Sequence, residues 1–303
     1  MRWNVGMRRG TYSIVARDSA TGELGVAVQS HWFSVGSVVA WARPGVGAVA
    51  TQSIAEVAHG PNTLDRLSEG LDARAAMAAV LAQDEQAHYR QLGVVDAAGL
   101  AVSHTGAGCI PFAGDAGGES FACQANMMAN DTVPAAMAGA YRGHDGDLAE
   151  RLLAALDAAE AAGGDVRGRQ SAALLVVPAE GEPWRTRFDI RVEDHGDPLA
   201  ELRRLARLAR AYEMAGRADE LAAEGGHERA TELYLAAAEL APEADELAFW
   251  AGLGLGDTDL ERGVELVRRA AEIKPSWLTL LDRLDGELAP NAAALAAALR
   301  EPR

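Results

Sequence analysis

Strand-like and helix-like runs are segregated into blocks along this chain, and the order of those blocks limits the fold more than any single residue does. Thr11–Asp18 and Glu23–Ser30 flank the turn-like Ser19-Ala20-Thr21-Gly22, and Val38–Ala42 and Val46–Thr51 flank Arg43-Pro44-Gly45. Four strands therefore open the chain as two hairpins. Two helices follow: Pro61–Glu69, with proline in its first turn and Gly70 beyond its end, and the alanine-rich Asp72–Gln83. Strands return at Gln91–Asp96, Leu100–Thr105 and Phe121–Met127. Helices follow at Val133–Tyr141 and Asp147–Ala162, then strands at Ser171–Val177 and Arg187–Val192. Runs of strands alternating with runs of helices mean α+β, not a parallel βαβ sheet. Two antiparallel sheets packed face to face, each with a helix pair on its outer face, would bury this pattern. The expected fold is a four-layer αββα sandwich.

From about Leu199 onward the pattern is purely helical, and it repeats. Ala230, Tyr234, Ala237 and Pro242 recur 33 residues later as Gly263, Val267, Ala270 and Pro275. That spacing and small–large–small–proline rhythm mark a tetratricopeptide-like tail, a generic pair of helical hairpins being the alternative. Tyr234 and Trp250 are expected to be buried between helices. The expected domains are a leader or propeptide at 1–10, a mixed domain at 11–198 and a helical domain at 199–303.

The leader carries arginines but no apolar segment behind them, so it is not a secretory signal. No apolar run approaches the ~18 residues of a membrane span, and the protein is expected to be cytoplasmic. Net charge is −16, and residues 196–303 hold 21 acids against 13 bases, a net of −8. Nucleic acid is therefore not an expected partner. An acidic helical tail points instead to a protein partner or self-association. The seven histidines show no paired metal-ligand spacing, so no metal is expected. Gly45-Val46-Gly47-Ala48-Val49-Ala50 opens no helix, so no dinucleotide and no other cofactor is expected. Cys109 and Cys123 form no CxxC pair.

One residue stands out chemically. Thr11 opens the first strand directly after Gly10. A threonine hydroxyl needs a base to become a nucleophile, and a free α-amine on the same residue can supply it. That amine has a reference pKa near ~7.8, so it accepts a proton at neutral pH. It exists at Thr11 only if the leader is removed, and Gly10, without a Cβ, eases approach to the preceding carbonyl. The alternative is an ordinary β-branched strand residue.

Six separated blocks carry a family resemblance. They are Thr11-Tyr12-Ser13-Ile14-Val15-Ala16, Gly22-Glu23-Leu24-Gly25-Val26-Ala27-Val28, Gly45-Val46-Gly47-Ala48-Val49-Ala50-Thr51-Gln52, Arg90-Gln91-Leu92-Gly93-Val94-Val95-Asp96, the stretch from Gly163-Gly164-Asp165 through Arg167-Gly168-Arg169-Gln170-Ser171-Ala172-Ala173-Leu174, and Asp194-His195-Gly196-Asp197-Pro198. Over residues 11–205 the chain resembles domain-of-unknown-function family 1028, a bacterial family placed in the N-terminal-nucleophile (Ntn) hydrolase superfamily. The resemblance implies the αββα fold and a threonine directly after the initiator methionine. Ten residues precede Thr11 here, as a propeptide or as a start assigned too early. Proteasome β subunits, similar in fold, have a strand-end acid where this chain has Gln29 and a lysine near Val38. The only lysine here is Lys274, so another group would have to tune the amine.

The expected reaction is hydrolysis of a small amide or peptide bond, with Thr11 as nucleophile and its α-amine as base. His31, at the end of the second strand, is a candidate to orient Thr11, and Asn126 a candidate donor to substrate. By the same resemblance, backbone N–H groups near Thr51 and Gln52 would hold the oxyanion. Arg169, Gln170 and Ser171 put three polar donors in a row, and the arginine could clamp a carboxylate. Each also reads as an ordinary strand end, loop or surface residue. The rival reading is a catalytically lapsed Ntn scaffold that binds a protein through its helical tail.

Overall fold

A computed structural model describes residues 8–256, 259–287 and 289–300. Residues 1–7 of the expected leader lie outside them. The chain divides into two compact units, Met1–Arg203 and Arg204–Arg303.

The first unit is mixed α and β. Its strands are β1 (Arg8–Arg9), β2 (Thr11–Arg17), β3 (Leu24–Ser30), β4 (Ala40–Arg43), β5 (Gly47–Ile54), β6 (Arg90–Asp96), β7 (Ala101–Thr105), β8 (Gly114–Gly118), β9 (Phe121–Asn126), β10 (Ser171–Val177) and β11 (Phe188–Val192). Its helices are α1 (Gly36–Val39), α2 (His59–Ser68), α3 (Ala73–Leu81), α4 (Val133–Gly143) and α5 (Leu148–Ala161). One sheet runs β1-β5-β6-β7, with β4 also on β5; the other runs β11-β10-β3-β2-β9-β8. All pairings are antiparallel.

The central strands do not alternate buried and exposed. β3 and β6 are buried at every residue, and β2 at all but its last. A strand buried on both sides has a layer on each face. Val15, Val26, Val28, Ala48, Ala50, Val95 and Ala122 pack together where the sheets meet. On the outer side of the first sheet, Val49 and Val94 pack against Leu64, Leu67, Ala73 and Ala76 of α2 and α3. Outside the second sheet, Gly25 lets α5 settle closely, for a Cβ there would lie 2.7 Å from Leu152. The Phe121 ring meets Tyr141 of α4 at 4.6 Å between centroids. Asp72 and Asp147 cap α3 and α5, accepting from the backbone N–H groups of Ala75 and Glu150.

Two local expectations fail. The strand expected at Val38–Ala42 begins as the one-turn α1 and turns extended only at Ala40. Packing decides it: the Ser171 hydroxyl accepts from Val35 N–H at 3.1 Å, and Gly36 lies so near β10 that a Cβ would sit 2.6 Å from Ala173. β8, with the sequence Gly-Asp-Ala-Gly-Gly, was not expected at all. It has almost no side chains to signal a strand, and its pairing with β9 makes it one.

The second unit is helical. Helix α6 (Pro198–Ala223) leads into it, followed by α7 (His227–Leu240), α8 (Asp245–Leu255), α9 (Leu260–Ile273), α10 (Ser276–Leu281) and α11 (Ala292–Arg300). The repeated positions Ala230, Ala237, Gly263, Val267 and Ala270 are all buried. Gly252 and Gly263 bring α8 and α9 together, for a Cβ on Gly252 would lie 2.8 Å from the Gly263 carbonyl oxygen. Trp250 is a correction: it is 36% exposed, while its neighbour Phe249 is fully buried and stacked on Trp277 at 4.6 Å. Successive helix residues point about 100° apart, so only one of the two rings can face α9. Tyr234 is half-buried, its hydroxyl bonded to Asp219. Among the described residues no helix is long and apolar enough to cross a membrane.

Candidate active site

Thr11 begins β2, which lies between β3 and β9, and pairs across to Ser30 on one side and Asn126 on the other. Alternation along the strand turns Thr11, Ser13 and Val15 toward the other sheet and Tyr12 toward the helices. The Tyr12 hydroxyl donates to Glu160 of α5 at 2.8 Å. Burial, and then the Glu160 carboxylate, hold that phenol well above its ordinary pKa.

The Thr11 side chain is fully buried, and its hydroxyl donates to Ser30 Oγ at 3.2 Å. The Ser30 hydroxyl in turn donates to the Gly10 carbonyl oxygen. Arg167 Nη2 donates to the same oxygen at 2.9 Å. The carbonyl of the Gly10–Thr11 peptide bond thus accepts from two side chains, one of which is hydrogen-bonded to the Thr11 hydroxyl.

Arg167 is placed by the turn that follows α5. Gly163 and Gly164 end the helix in the left-handed region, and Asp165 then bridges to Met128 beyond β9. Asp165 Oδ1 accepts from Arg167 N–H at 2.9 Å and from Arg167 Nε at 3.1 Å, and Oδ2 accepts from Nη2 at 2.8 Å. The His31 backbone N–H also reaches Oδ2, at 3.2 Å. The Asp165 side chain is wholly inaccessible. A forked guanidinium–carboxylate pair fixes direction as well as distance, so Arg167 is aimed rather than loosely tethered.

Behind Thr11 the sheets are joined by buried amides. Gln52 Oε1 accepts from Ser13 at 2.6 Å, while Gln52 Nε2 donates to Gln91 Oε1 at 2.8 Å, to Gln124 O at 3.2 Å and to Thr11 O at 3.3 Å. Asn126 Nδ2 donates to Gln91 Oε1 at 2.9 Å and to Thr11 O at 3.4 Å. Gln124 Nε2 donates to Ser13 at 2.7 Å. Its amide has room because Gly93 stands opposite, where a Cβ would lie 2.2 Å from Gln124 Oε1. These side chains hold the Thr11 backbone from two directions.

Thr11, Gln52 and Asn126 are therefore brought together, the amides on the Thr11 carbonyl. Thr51 is buried in β5, its hydroxyl donating to Glu56 O at 3.1 Å. His31 touches the site through its backbone, and its Nδ1 is buried without a hydrogen bond. Arg169 pairs with Glu160 and Asp197, Gln170 with Asp194, and Ser171 donates to Trp32 O. None of these three hydrogen-bonds to Gly10 or Thr11. Ser30, Arg167, Asp165, Ser13, Gln91 and Gln124 were not singled out from sequence. The block holding Asp165 and Arg167 carries the family resemblance, but nothing in its spacing separates Arg167 from Arg169.

Other chemistry-bearing groups lie outside this cluster. A cavity of about 690 Å³ that does not include Thr11 is lined by Glu56, His59, Asp65, Arg66, Asp84 and Arg90 among others. There His59 meets Asp84 at 2.9 Å, and Arg90 donates to Asp84 and to Ile54 O at 2.6 Å each. The Arg90 guanidinium holds the Asp84 carboxyl well below the usual carboxylate range. Cys109 and Cys123 are unpaired, and burial pushes both thiols up.

A family model, "Family of unknown function (DUF1028)", matches residues 11–202, beginning at Thr11 itself. The chain belongs to this family. The chain also resembles a solved member, the crystal structure of protein SPO2555 from Silicibacter pomeroyi, at 33% identity and a TM-score of 0.61. The match covers 66% of this chain and 86% of that one. No curated protein matches the sequence significantly.

Proposed function

We propose that this DUF1028 protein is an N-terminal-nucleophile hydrolase of the four-layer αββα type that cleaves a small amide or peptide bond with Thr11. The observation that carries the reading is the Gly10 carbonyl, held by Ser30 and Arg167 beside the Thr11 hydroxyl. Donors on a carbonyl oxygen stabilise the charge that builds there when the carbon is attacked. In leader removal, Thr11 Oγ1 attacks the Gly10 carbonyl carbon. Its proton passes through Ser30 Oγ to the Gly10 oxygen, and Arg167 stabilises the tetrahedral centre. The proton returns as the carbonyl re-forms, the C–N bond breaks, and the Thr11 nitrogen takes it to become a free amine. Water then hydrolyses the Gly10–Thr11 ester. In later cycles that amine takes the hydroxyl proton and delivers it to the leaving group.

Intact-mass analysis of the purified full chain tests this. The expected mass begins at Thr11. Thr11→Ala is expected to keep the leader and lose hydrolysis by roughly 10³-fold or more, whereas Thr11→Ser, retaining the hydroxyl, keeps part of both. An uncut leader on protein that still hydrolyses amides would refute the mechanism.

A second reading concerns the helical unit, which we take as tetratricopeptide-like. It holds a groove of about 400 Å³ lined by Tyr212, Tyr234 and Trp250 with Asp219 and Glu246. Aromatic rings beside carboxylates suit a basic segment of a protein partner. Trp250→Ala in the full chain is expected to abolish salt-sensitive capture of a lysine-rich peptide. Unchanged capture would discard this reading.

A further inference from the structure

We infer that the acyl slot of this site admits only glycine, so that its substrates are peptides cleaved on the carboxyl side of a glycyl residue. The inference rests on the nucleophile reading above and adds to it the substrate class.

The evidence lies around the α-carbon of Gly10. A Cβ on this residue would fall 2.7 Å from Asp165 Oδ2, 2.9 Å from Arg167 Nη2 and 3.0 Å from Asp165 Cγ. All three distances are at or below the closest approach that real Cβ atoms show. Gly10 does not have a left-handed φ, so no backbone conformation requires glycine here. The demand comes from the neighbours, which are tied to one another and to the backbone. Asp165 is fully inaccessible and is held by Arg167 and by the His31 backbone N–H. Arg167 is held by Asp165 and by the very carbonyl oxygen that must be polarised. Moving either group away from a methyl would dismantle the donor set on the carbonyl. Selection against a side chain and stabilisation of the transition state are thus made by the same two residues.

Upstream of Gly10 the slot continues as a strand. Arg8 and Arg9 pair antiparallel with Ile54 and Ser53 at the end of β5. An extended peptide can take that place once the leader has gone, with its backbone on β5 and its glycine against Asp165. The preferred class is therefore a peptide with at least two residues before the glycine.

The test uses the full chain with its N-terminus checked by intact mass. Acetyl-Ala-Ala-Gly-aminomethylcoumarin is compared with acetyl-Ala-Ala-Ala-aminomethylcoumarin. The expected kcat/KM ratio is about 100-fold in favour of glycine, and a ratio below about tenfold overturns the inference. Asp165→Ala is expected to shift that ratio toward alanine whatever it does to the absolute rate. If a chain starting at Thr11 cleaves neither peptide, leader removal decides. Gly10→Ala is expected to retain the leader, and the double variant Gly10→Ala/Asp165→Ala to regain its removal. Normal removal in Gly10→Ala overturns the glycine slot while leaving Thr11 as nucleophile. A wild-type chain that keeps its leader overturns both readings together.

Discussion

The two ends of the interface between the sheets are built from opposite materials. At one end Val15, Val26, Val28, Ala48, Ala50 and Val95 close a dry layer that any antiparallel sandwich could use. At the other, Ser13, Ser30, Gln52, Gln91, Gln124 and Asn126 are as deeply buried, and all are polar. A buried amide without partners costs on the order of several kcal/mol, and a satisfied one contributes little net stability. Apolar residues would fill the second end at less risk. What the amides add is direction: each bond has a preferred line, so the Thr11 carbonyl is held at a definite place between the sheets. The valine end secures that the sheets pack. The glutamine end sets where one residue sits.

That contrast can be broken at the level of chemistry first. Arg167→Met keeps the length of the side chain and removes the donor to Gly10 O. It should slow leader removal roughly 10²-fold per folded molecule, measured by time-resolved intact mass, and also lower the melting temperature, because the buried Asp165 carboxylate loses its guanidinium. An unchanged rate would mean that the polar end does no more than pack. Gln52→Ala comes next. It strips Ser13, Gln91 and the Thr11 carbonyl of a shared partner and should cost about 3 kcal/mol in urea unfolding, together with slower leader removal. Val26→Ala, at the dry end, should cost about 2 kcal/mol and leave the rate per folded molecule unchanged. Equal effects of the two substitutions on rate would erase the distinction.

The Asp84–Arg90–His59 cluster offers a polar reference away from Thr11 and gives the smallest effect. Asp84 is held below its ordinary pKa chiefly by the Arg90 guanidinium. A carboxylate depressed on folding contributes its stability in full above the unfolded value near ~3.9, and that contribution is lost as the pH falls toward the folded value. Asp84→Asn should therefore lower stability by about 1 kcal/mol at neutral pH and flatten the acid limb of the stability curve below about pH 4. The rate of leader removal should not move.

How far the sequence could be read follows the same division. Period and punctuation reach whatever is decided locally. Ser171–Val177 is a strand at both its ends as expected, and Asp72 and Asp147 stand at the starts of the expected helices. The dry end is legible too, because valine and alanine in strands announce a core. The polar end is not. Gln52, Gln91 and Gln124 lie on three strands of two sheets, and no spacing along the chain says that their amides meet. Thr11 was visible through its chemistry and its glycine. Arg167 was hidden because its role depends on a turn closing around Asp165. Arg169, two residues on, looked equivalent and proves to pair with surface acids. α1 and Trp250 mislead for one reason: packing on a neighbour, not local pattern, decides which way each faces.

The end of β5 has a consequence for how the molecule behaves in company. A strand edge with unpaired N–H and C=O groups recruits other chains. While Arg8 and Arg9 occupy Ser53 and Ile54, that edge is sealed. Cutting at Gly10 would unseal it at the moment the protein matures. Ser53 limits the hazard, since its φ of 72° breaks the extended run and leaves a stub too brief to template a second sheet. On the proposed reading, a short peptide would still find room there, and a neighbouring protomer too little strand to hold.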